Sequence, residues 1–249
     1  MLKTSLTSVT FRSKSIVQVA RLAAEAGLEA VEWGGDVHVP PGDTAAARQA
    51  LRETQACGLE ISAYGSYYRA GPGEDFGEVL RTANALQCRV IRVWAGTKAS
   101  GACTPGARRE TAERLARAVE QAAREGCTVA TEYHANTLTD TLTSAQRLME
   151  EVPGLRTFWQ PPVGAPAEEN LRALDALADR IENLHVYQWE PPHDQRPLAE
   201  GREIWRAYLN RARKLKGLHY AALEFVRDGS EEQFFRDAAV LLELIREGK

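Results

Sequence analysis

The chain has 249 residues, 44% hydrophobic and 26% charged, with 31 basic against 34 acidic side chains and a formal net charge of −3. A disordered chain would be poorer in apolar residues and more strongly charged, and four cysteines, Cys57, Cys88, Cys103 and Cys127, without a Cys-x-x-Cys pair make neither a disulfide framework nor a zinc ribbon. No stretch reaches the ~18 uninterrupted apolar residues of a membrane helix, Met1-Leu2-Lys3-Thr4-Ser5 leads into strand-like sequence without an apolar leader, and the basic residues are interspersed with acidic ones.

These features predict a cytoplasmic protein with reduced cysteines that binds neither membrane nor nucleic acid. In chain order, a first strand is expected at Ser5 to Phe11 and a first helix from about Lys14. Four stretches then follow one plan, an amphipathic helix end, a break and an apolar strand. Ala20 to Gly27 precedes Leu28 to Trp33, and Arg52 to Gly58 precedes Leu59 to Tyr64. Arg81 to Cys88 precedes Val90 to Trp94, and Glu120 to Gly126 precedes Thr128 to His134. Gly27, Gly58 and Gly126 fall where a helix closes on a left-handed residue, which glycine adopts without steric cost.

The second half continues with helices at Thr143 to Glu151, Ala167 to Ala178, Glu200 to Lys214 and Ser230 to Arg246. Its strands are expected at Arg156 to Gln160, Ile181 to Trp189 and Tyr220 to Val226, with Glu190 to Ala199 the longest irregular stretch. Asp43, Thr104-Pro105 and Ser230-x-x-Gln233 mark helix starts. Eight strands alternating with eight helices in about 250 residues predict a single α/β domain over 1–249, a closed (β/α)8 TIM barrel. An open doubly wound sheet is disfavoured, because the first strand-to-helix turn lacks Gly-x-Gly-x-x-Gly and no phosphate loop occurs.

A barrel of this type builds its site at the carboxyl ends of its strands. The polar and aromatic residues there are Glu32 with Trp33, Tyr64, Trp94, Glu132 with Tyr133 and His134, Gln160, His185 and Glu224. Glu132 and Glu224 with His185 between them form an oxygen and nitrogen donor set that suits a divalent cation, be it manganese, magnesium, cobalt or zinc. Glu32 reads as a structural ion pair. Trp33, Trp94 and Trp189 read as aromatic walls or rim packing, and Arg92, His134, His193 and Arg196 as binders of substrate hydroxyl or phosphate groups.

The chain resembles the xylose isomerase-like TIM-barrel superfamily, whose members include D-tagatose 3-epimerase, hydroxypyruvate isomerase and endonuclease IV. The resemblance is carried by Gly27-Leu28-Glu29-Ala30-Val31-Glu32, Val90-Ile91-Arg92-Val93-Trp94-Ala95-Gly96, Glu132-Tyr133-His134, Asn183-Leu184-His185-Val186 and Ala222-Leu223-Glu224. It implies a metal held by Glu132, Gln160, His185 and Glu224, with Glu132 and Glu224 also moving protons. Gln160 departs from the family pattern, which has Asp there, and Val163 replaces a family histidine; the loss of one negative charge implies weaker metal affinity or a different substrate geometry. Tyr64 and Trp94 stand where the endonuclease IV branch has additional zinc-binding histidines, which argues against a trinuclear DNA-repair site. The implied activity is a metal-dependent sugar or sugar-phosphate isomerase or epimerase working through a metal-stabilised enediolate. A non-catalytic carbohydrate-binding barrel and a metal-dependent hydrolase or lyase are the alternatives, and the resemblance allows a homo-oligomer.

Overall fold

Most helix starts in this chain are set by side chains that satisfy the first unpaired backbone N–H groups. In the computed structural model, which describes residues 2–217 and 219–247, Ser15 and Gln18 form a reciprocal capping box at the start of α1 (Ile16–Glu25). Asp43 accepts from the backbone of Ala45 and Ala46 at α2 (Thr44–Ala56), and Asp75 from Gly77 at α3 (Phe76–Ala85). Thr104 caps α4 (Pro105–Arg124) with the proline in its first turn, and Thr141 caps α5 (Leu142–Glu151). The series continues with α6 (Ala167–Ala176), α7 (Arg202–Ala212) and α8 (Glu231–Glu247). Ser230 receives the Gln233 N–H, but the Gln233 side chain donates to Asp237, so the Ser230-x-x-Gln233 start forms only half of a capping box. Gly27, Gly58 and Gly126 have φ of +73°, +71° and +68°; the third unit lacks a glycine, and Gln87 takes the left-handed turn itself at +55°.

The strands are β1 (Lys3–Thr7), β2 (Ala30–Gly34), β3 (Glu60–Gly65), β4 (Val90–Val93), β5 (Thr128–Glu132), β6 (Arg156–Trp159), β7 (Ile181–Val186) and β10 (Tyr220–Leu223). They are parallel and close in the order β1-β10-β7-β6-β5-β4-β3-β2, the expected (β/α)8 barrel. Met1, Leu218, Gly248 and Lys249, within the single domain expected over 1–249, lie outside the described residues.

Several strand boundaries differ from expectation; β5 stops at Glu132 and β10 at Leu223, and two differences reshape the loops. The first strand stops at Thr7 because Ser8–Phe11 turn as a 3-10 helix, closed by the Thr7–Thr10 hydroxyl contact at 3.2 Å and by the Ser8 hydroxyl, which accepts from Gly34 N. The strand expected over Ile181 to Trp189 ends at Val186, and β8 (Trp189–Glu190) pairs antiparallel with β9 (Asp194–Gln195) as a small hairpin in the stretch expected to be irregular.

Because side chains alternate along a strand, each strand sends one set outward and one into the barrel. The outward set, including Val31, Trp33, Tyr64, Ile91, Val129, Trp159 and Leu184, packs in the main apolar core. Inside, Ala63, Ala130 and Phe158 form a separate small cluster, and the Ser5 and Ser62 hydroxyls meet at 2.7 Å. All four cysteines are free, and among the described residues no helix is long and apolar enough to cross a membrane.

Leu115 on α4 is fully buried, so Leu115→Ala removes apolar contacts and leaves a cavity. Urea titration is expected to show a loss of ~2–5 kcal/mol. The exposed Glu120→Ala on the same helix should change stability by less than about 0.5 kcal/mol.

Candidate active site

Alternation turns Glu32, Arg92, Glu132 and His185 inward, and Gln160 and Glu224 join them one residue beyond the ends of β6 and β10. Arg92 is the centre of this group. Its Nε donates to Glu32 Oε1 at 2.6 Å and its Nη1 donates to Glu132 Oε2, which also accepts from the Trp94 indole N–H at 2.7 Å. Gly65 makes room for this guanidinium: a Cβ there would lie 2.5 Å from Arg92 Nη2 and 2.9 Å from Glu32 Oε1.

His185 is buried on the other side of Glu32. Its Nε2 lies 3.1 Å from Glu32 Oε2, while its Nδ1 faces three oxygens: Gln160 Oε1 at 3.0 Å, Glu224 Oε2 at 3.3 Å and Glu132 Oε1 at 3.8 Å. Glu32 accepts from Nε2, so Nδ1 is the ring nitrogen that a cation among those oxygens would meet, with the outer carboxylate orienting the imidazole. One donor atom each from Glu132, His185 and Glu224 lies within 4.8 Å of the others. Two carboxylates, an imidazole and an amide oxygen at this spacing fit a divalent cation.

The electrostatics show the same demand for positive charge. Burial alone would lower the His185 pKa, but the carboxylates of Glu224 and Glu32 outweigh it and raise it to about 10. Burial would raise Glu32, yet Arg92 and His185 pull it down to about 2. Glu132 is lowered too: burial opposes ionisation, and Arg92, His185 and His134 overcome it.

A cavity of about 850 Å³ opens over this cluster, walled by Tyr67, Trp94, His134, Tyr187, Trp189 and Phe225 among others. His134 stacks on Trp94 with centroids 4.7 Å apart. Its Nδ1 donates to the Ala135 carbonyl, which can only accept, so Nε2 remains available for proton exchange. The loop carrying His134 is tied down by Thr137, which donates to the His134 carbonyl, and by Thr139, which donates to the Glu132 carbonyl. Tyr67, Asn136 and Phe225, all on the cavity wall, have φ of +59°, +60° and +57°, backbone strain concentrated at the site.

The structure brings together Glu132, Gln160, His185 and Glu224, with Trp94, His134, Trp189 and His193 on the cavity wall. Two expected substrate contacts are corrected. Trp33 is fully buried outside the barrel with its indole N–H donated to Thr54 of α2 at 3.0 Å; it follows Glu32 directly, and side chains alternate along this stretch of β2. Arg196 is held on the surface by Asp194 at 3.3 Å and Glu200 at 2.9 Å and does not line the cavity. Arg92, expected to bind substrate groups, is committed to Glu32 and Glu132, and Glu32 has the ion pair expected of it. Sequence reasoning missed Tyr67 and Tyr187, which no periodicity marks, and Phe225 and Arg12, which the positions next to Glu224 and in the first strand-to-helix turn could have signalled.

The xylose isomerase-like TIM barrel family matches residues 20–244, and the chain belongs to it. A 3-dehydroshikimate dehydratase of Bacillus anthracis is 29% identical over a 164-residue alignment that covers 61% of this chain and 58% of that protein, so the match spans less than two thirds of the relative. The crystal structure of the probable 3-DHS dehydratase from Bacillus anthracis shares the fold at TM-score 0.81 and 22% identity, covering 97% of this chain and 99% of the other. That of an L-ribulose 3-epimerase does so at TM-score 0.74 and 11% identity, covering 100% and 96%.

Removing the Arg92 charge by Arg92→Met leaves Glu32 and Glu132 buried without their partner. A loss of ~3–5 kcal/mol in urea unfolding is expected. Trp33→Phe, which removes the bond to Thr54 and part of a fully buried ring, should cost ~1–3 kcal/mol and leave the Arg92 ion pairs in place.

Acid titration should expose Glu32. Its pKa falls from 4.5 to about 2 on folding, so its stabilisation is fully present above about pH 4.5 and is lost as pH drops toward 2. The shift corresponds to about 3 kcal/mol. Denaturant unfolding followed from pH 5 to pH 2 should therefore lose stability less steeply in Glu32→Gln than in the wild type.

Proposed function

We propose that this protein removes a proton from the carbon next to a carbonyl in a hydroxylated small molecule and then expels a hydroxyl one carbon further on, a metal-assisted dehydration. The observation that carries the reading is the unequal state of the two carboxylates. Glu132 Oε2 is occupied by both Arg92 and Trp94, leaving Oε1 on the cation side, whereas Glu224 meets only His185 among the described residues and keeps an oxygen for substrate. Glu132 is thereby a ligand and Glu224 the base.

A divalent cation held by Glu132, His185 and the Gln160 amide oxygen, with Glu224 beside it, would supply Lewis acidity to the substrate carbonyl. Glu224 takes the proton, and the C–H electron pair moves toward the carbonyl. The electron pair then returns to form a carbon–carbon double bond as the carbon–oxygen bond to the departing hydroxyl breaks, and His134, protonated on both ring nitrogens, gives its Nε2 proton to that hydroxyl, which leaves as water. One free base and one separate acid suit elimination better than a relay between two equivalent carboxylates. The apolar, aromatic walls suit a ring-shaped substrate and exclude water from the charge that develops. The 29% identical relative that carries the name of a dehydratase supports the same reading.

Isomerisation or epimerisation of a sugar is the second reading, favoured by the carbonyl-adjacent proton transfer that the Glu224 placement also serves. In isomerisation Glu224 returns the proton to the neighbouring carbon, and no water is lost.

In deuterated water with manganese, product analysis separates the two, since dehydration releases water and isomerisation leaves an intact sugar labelled next to the carbonyl. Glu224→Gln should slow proton removal by ~10²–10⁴-fold while retaining metal. Glu132→Gln should weaken metal binding by more than ~10-fold, the smallest loss expected even for an outer-layer partner. Equal effects of the two substitutions on metal content and on exchange would refute the division of roles.

A further inference from the structure

Arg69, in the loop after β3, sends a half-buried guanidinium over the Trp94 ring, its carbon 3.9 Å from the ring centre. The acid nearest to it in sequence does not neutralise it. Both Glu74 oxygens accept backbone N–H groups instead, those of Arg69 at 3.1 and 3.2 Å and of Gly71 at 2.5 Å. Among the described residues the guanidinium forms no ion pair, and the indole face is the partner it has.

The backbone holds this pairing in register. The Trp94 N–H donates to the Tyr68 carbonyl at 2.7 Å and the Gly96 N–H to the Arg69 carbonyl at 3.0 Å, which straps the loop after β3 to the segment after β4. Trp94 and His134 line the cavity and Arg69 does not. The guanidinium therefore reaches the site through the indole and not by touching a substrate.

Two groups of the site hang on that indole. Its N–H donates to Glu132 Oε2 at 2.7 Å, and its ring stacks on His134 with centroids 4.7 Å apart and 23° between the planes. A cation over an aromatic face is attracted by the ring quadrupole and draws electron density from the ring, which makes the indole N–H a stronger donor. Without that anchor the indole would be free to tip, and Glu132 Oε2 would keep only Arg92.

We propose that Arg69 is a positioning residue, which anchors the Trp94 indole so that its N–H stays on Glu132 Oε2 and that oxygen stays off the cation. The hold on Trp94 and Glu132 rests on the geometry alone; its effect on a cation rests on Glu132 being a ligand, as read under Proposed function.

The test has two readouts on the full-length protein. The first needs no metal and follows the indole N–H signals in a proton–nitrogen correlation spectrum. The chain has five tryptophans, and the Trp94 signal is the one lost in Trp94→Phe. Arg69→Gln is expected to move that signal upfield, as a weakened hydrogen bond does, and to leave the others in place. Arg69→Lys, which keeps the cation, should retain most of the wild-type shift. The second readout is manganese affinity, from the spin-resonance signal of the free ion. Arg69→Gln should weaken it by about 2–30-fold, the fold-change that a cation–π contact carries. A guanidinium acting on the cation by charge repulsion alone would give the opposite sign, tighter binding on its removal. In the Trp94→Phe background the same substitution should add no further loss.

An unmoved Trp94 signal, unchanged or tighter manganese binding in Arg69→Gln, or an equal loss with and without the indole overturns the assignment. If the Trp94 signal responds as expected in a protein that binds no manganese at all, the cation reading of the site falls and the hold of Arg69 on Trp94 and Glu132 stands.

Discussion

The site is organised by the double engagement of Arg92 with Glu32 and Glu132 inside the barrel. Three buried carboxylates within reach of one histidine would be untenable without compensation, since an unpaired buried charge costs several kcal/mol. Arg92 joins β2, β4 and β5 at the level of the cluster and fixes which oxygens remain outside the ion pairs. Gly65 on β3 follows from the same constraint, because any Cβ there would occupy the place of the guanidinium.

That constraint gives the two cluster carboxylates different partners in similar positions. Glu132 is held by Arg92 and the Trp94 indole, whereas Glu224 stands one residue past β10 beside a strained Phe225. Strain at Phe225, Tyr67 and Asn136 lies where strand ends turn into the cavity wall, and the surrounding bonds absorb it. The Phe225 N–H is held by Thr10, and the Tyr67 hydroxyl by Arg12.

The helix-to-strand repeat made the barrel legible in the sequence, because caps, left-handed glycines and apolar runs are local signals that the closed sheet does not override. The cluster was legible for a similar reason: Glu132, His185 and Glu224 are polar residues at positions that otherwise end apolar strands. Trp33 shows where this reading fails, since residue type at a strand end says nothing about which face it takes unless its neighbour is considered, and Glu32 had already claimed the inner face. Arg196 failed for another reason: the hairpin of β8 and β9 supplies Asp194 and the following turn supplies Glu200, partners that only the folded loop brings together. Tyr67 was out of reach because its place on the wall depends on a left-handed backbone that its sequence does not announce.

Gln160 takes on a different meaning once Arg92 is placed. The sequence alone presents it as a lost charge in a metal site. In the folded cluster, three carboxylates set against Arg92 leave two negative charges, which a divalent cation would neutralise with His185 uncharged. An aspartate at position 160 would add a buried negative charge beyond that balance. The amide instead places its oxygen 3.0 Å from His185 Nδ1, offering a donor without a charge. Gln160 and Arg92 are thus two parts of one electrostatic solution, in which the charge that a fourth acidic ligand would bring is not required.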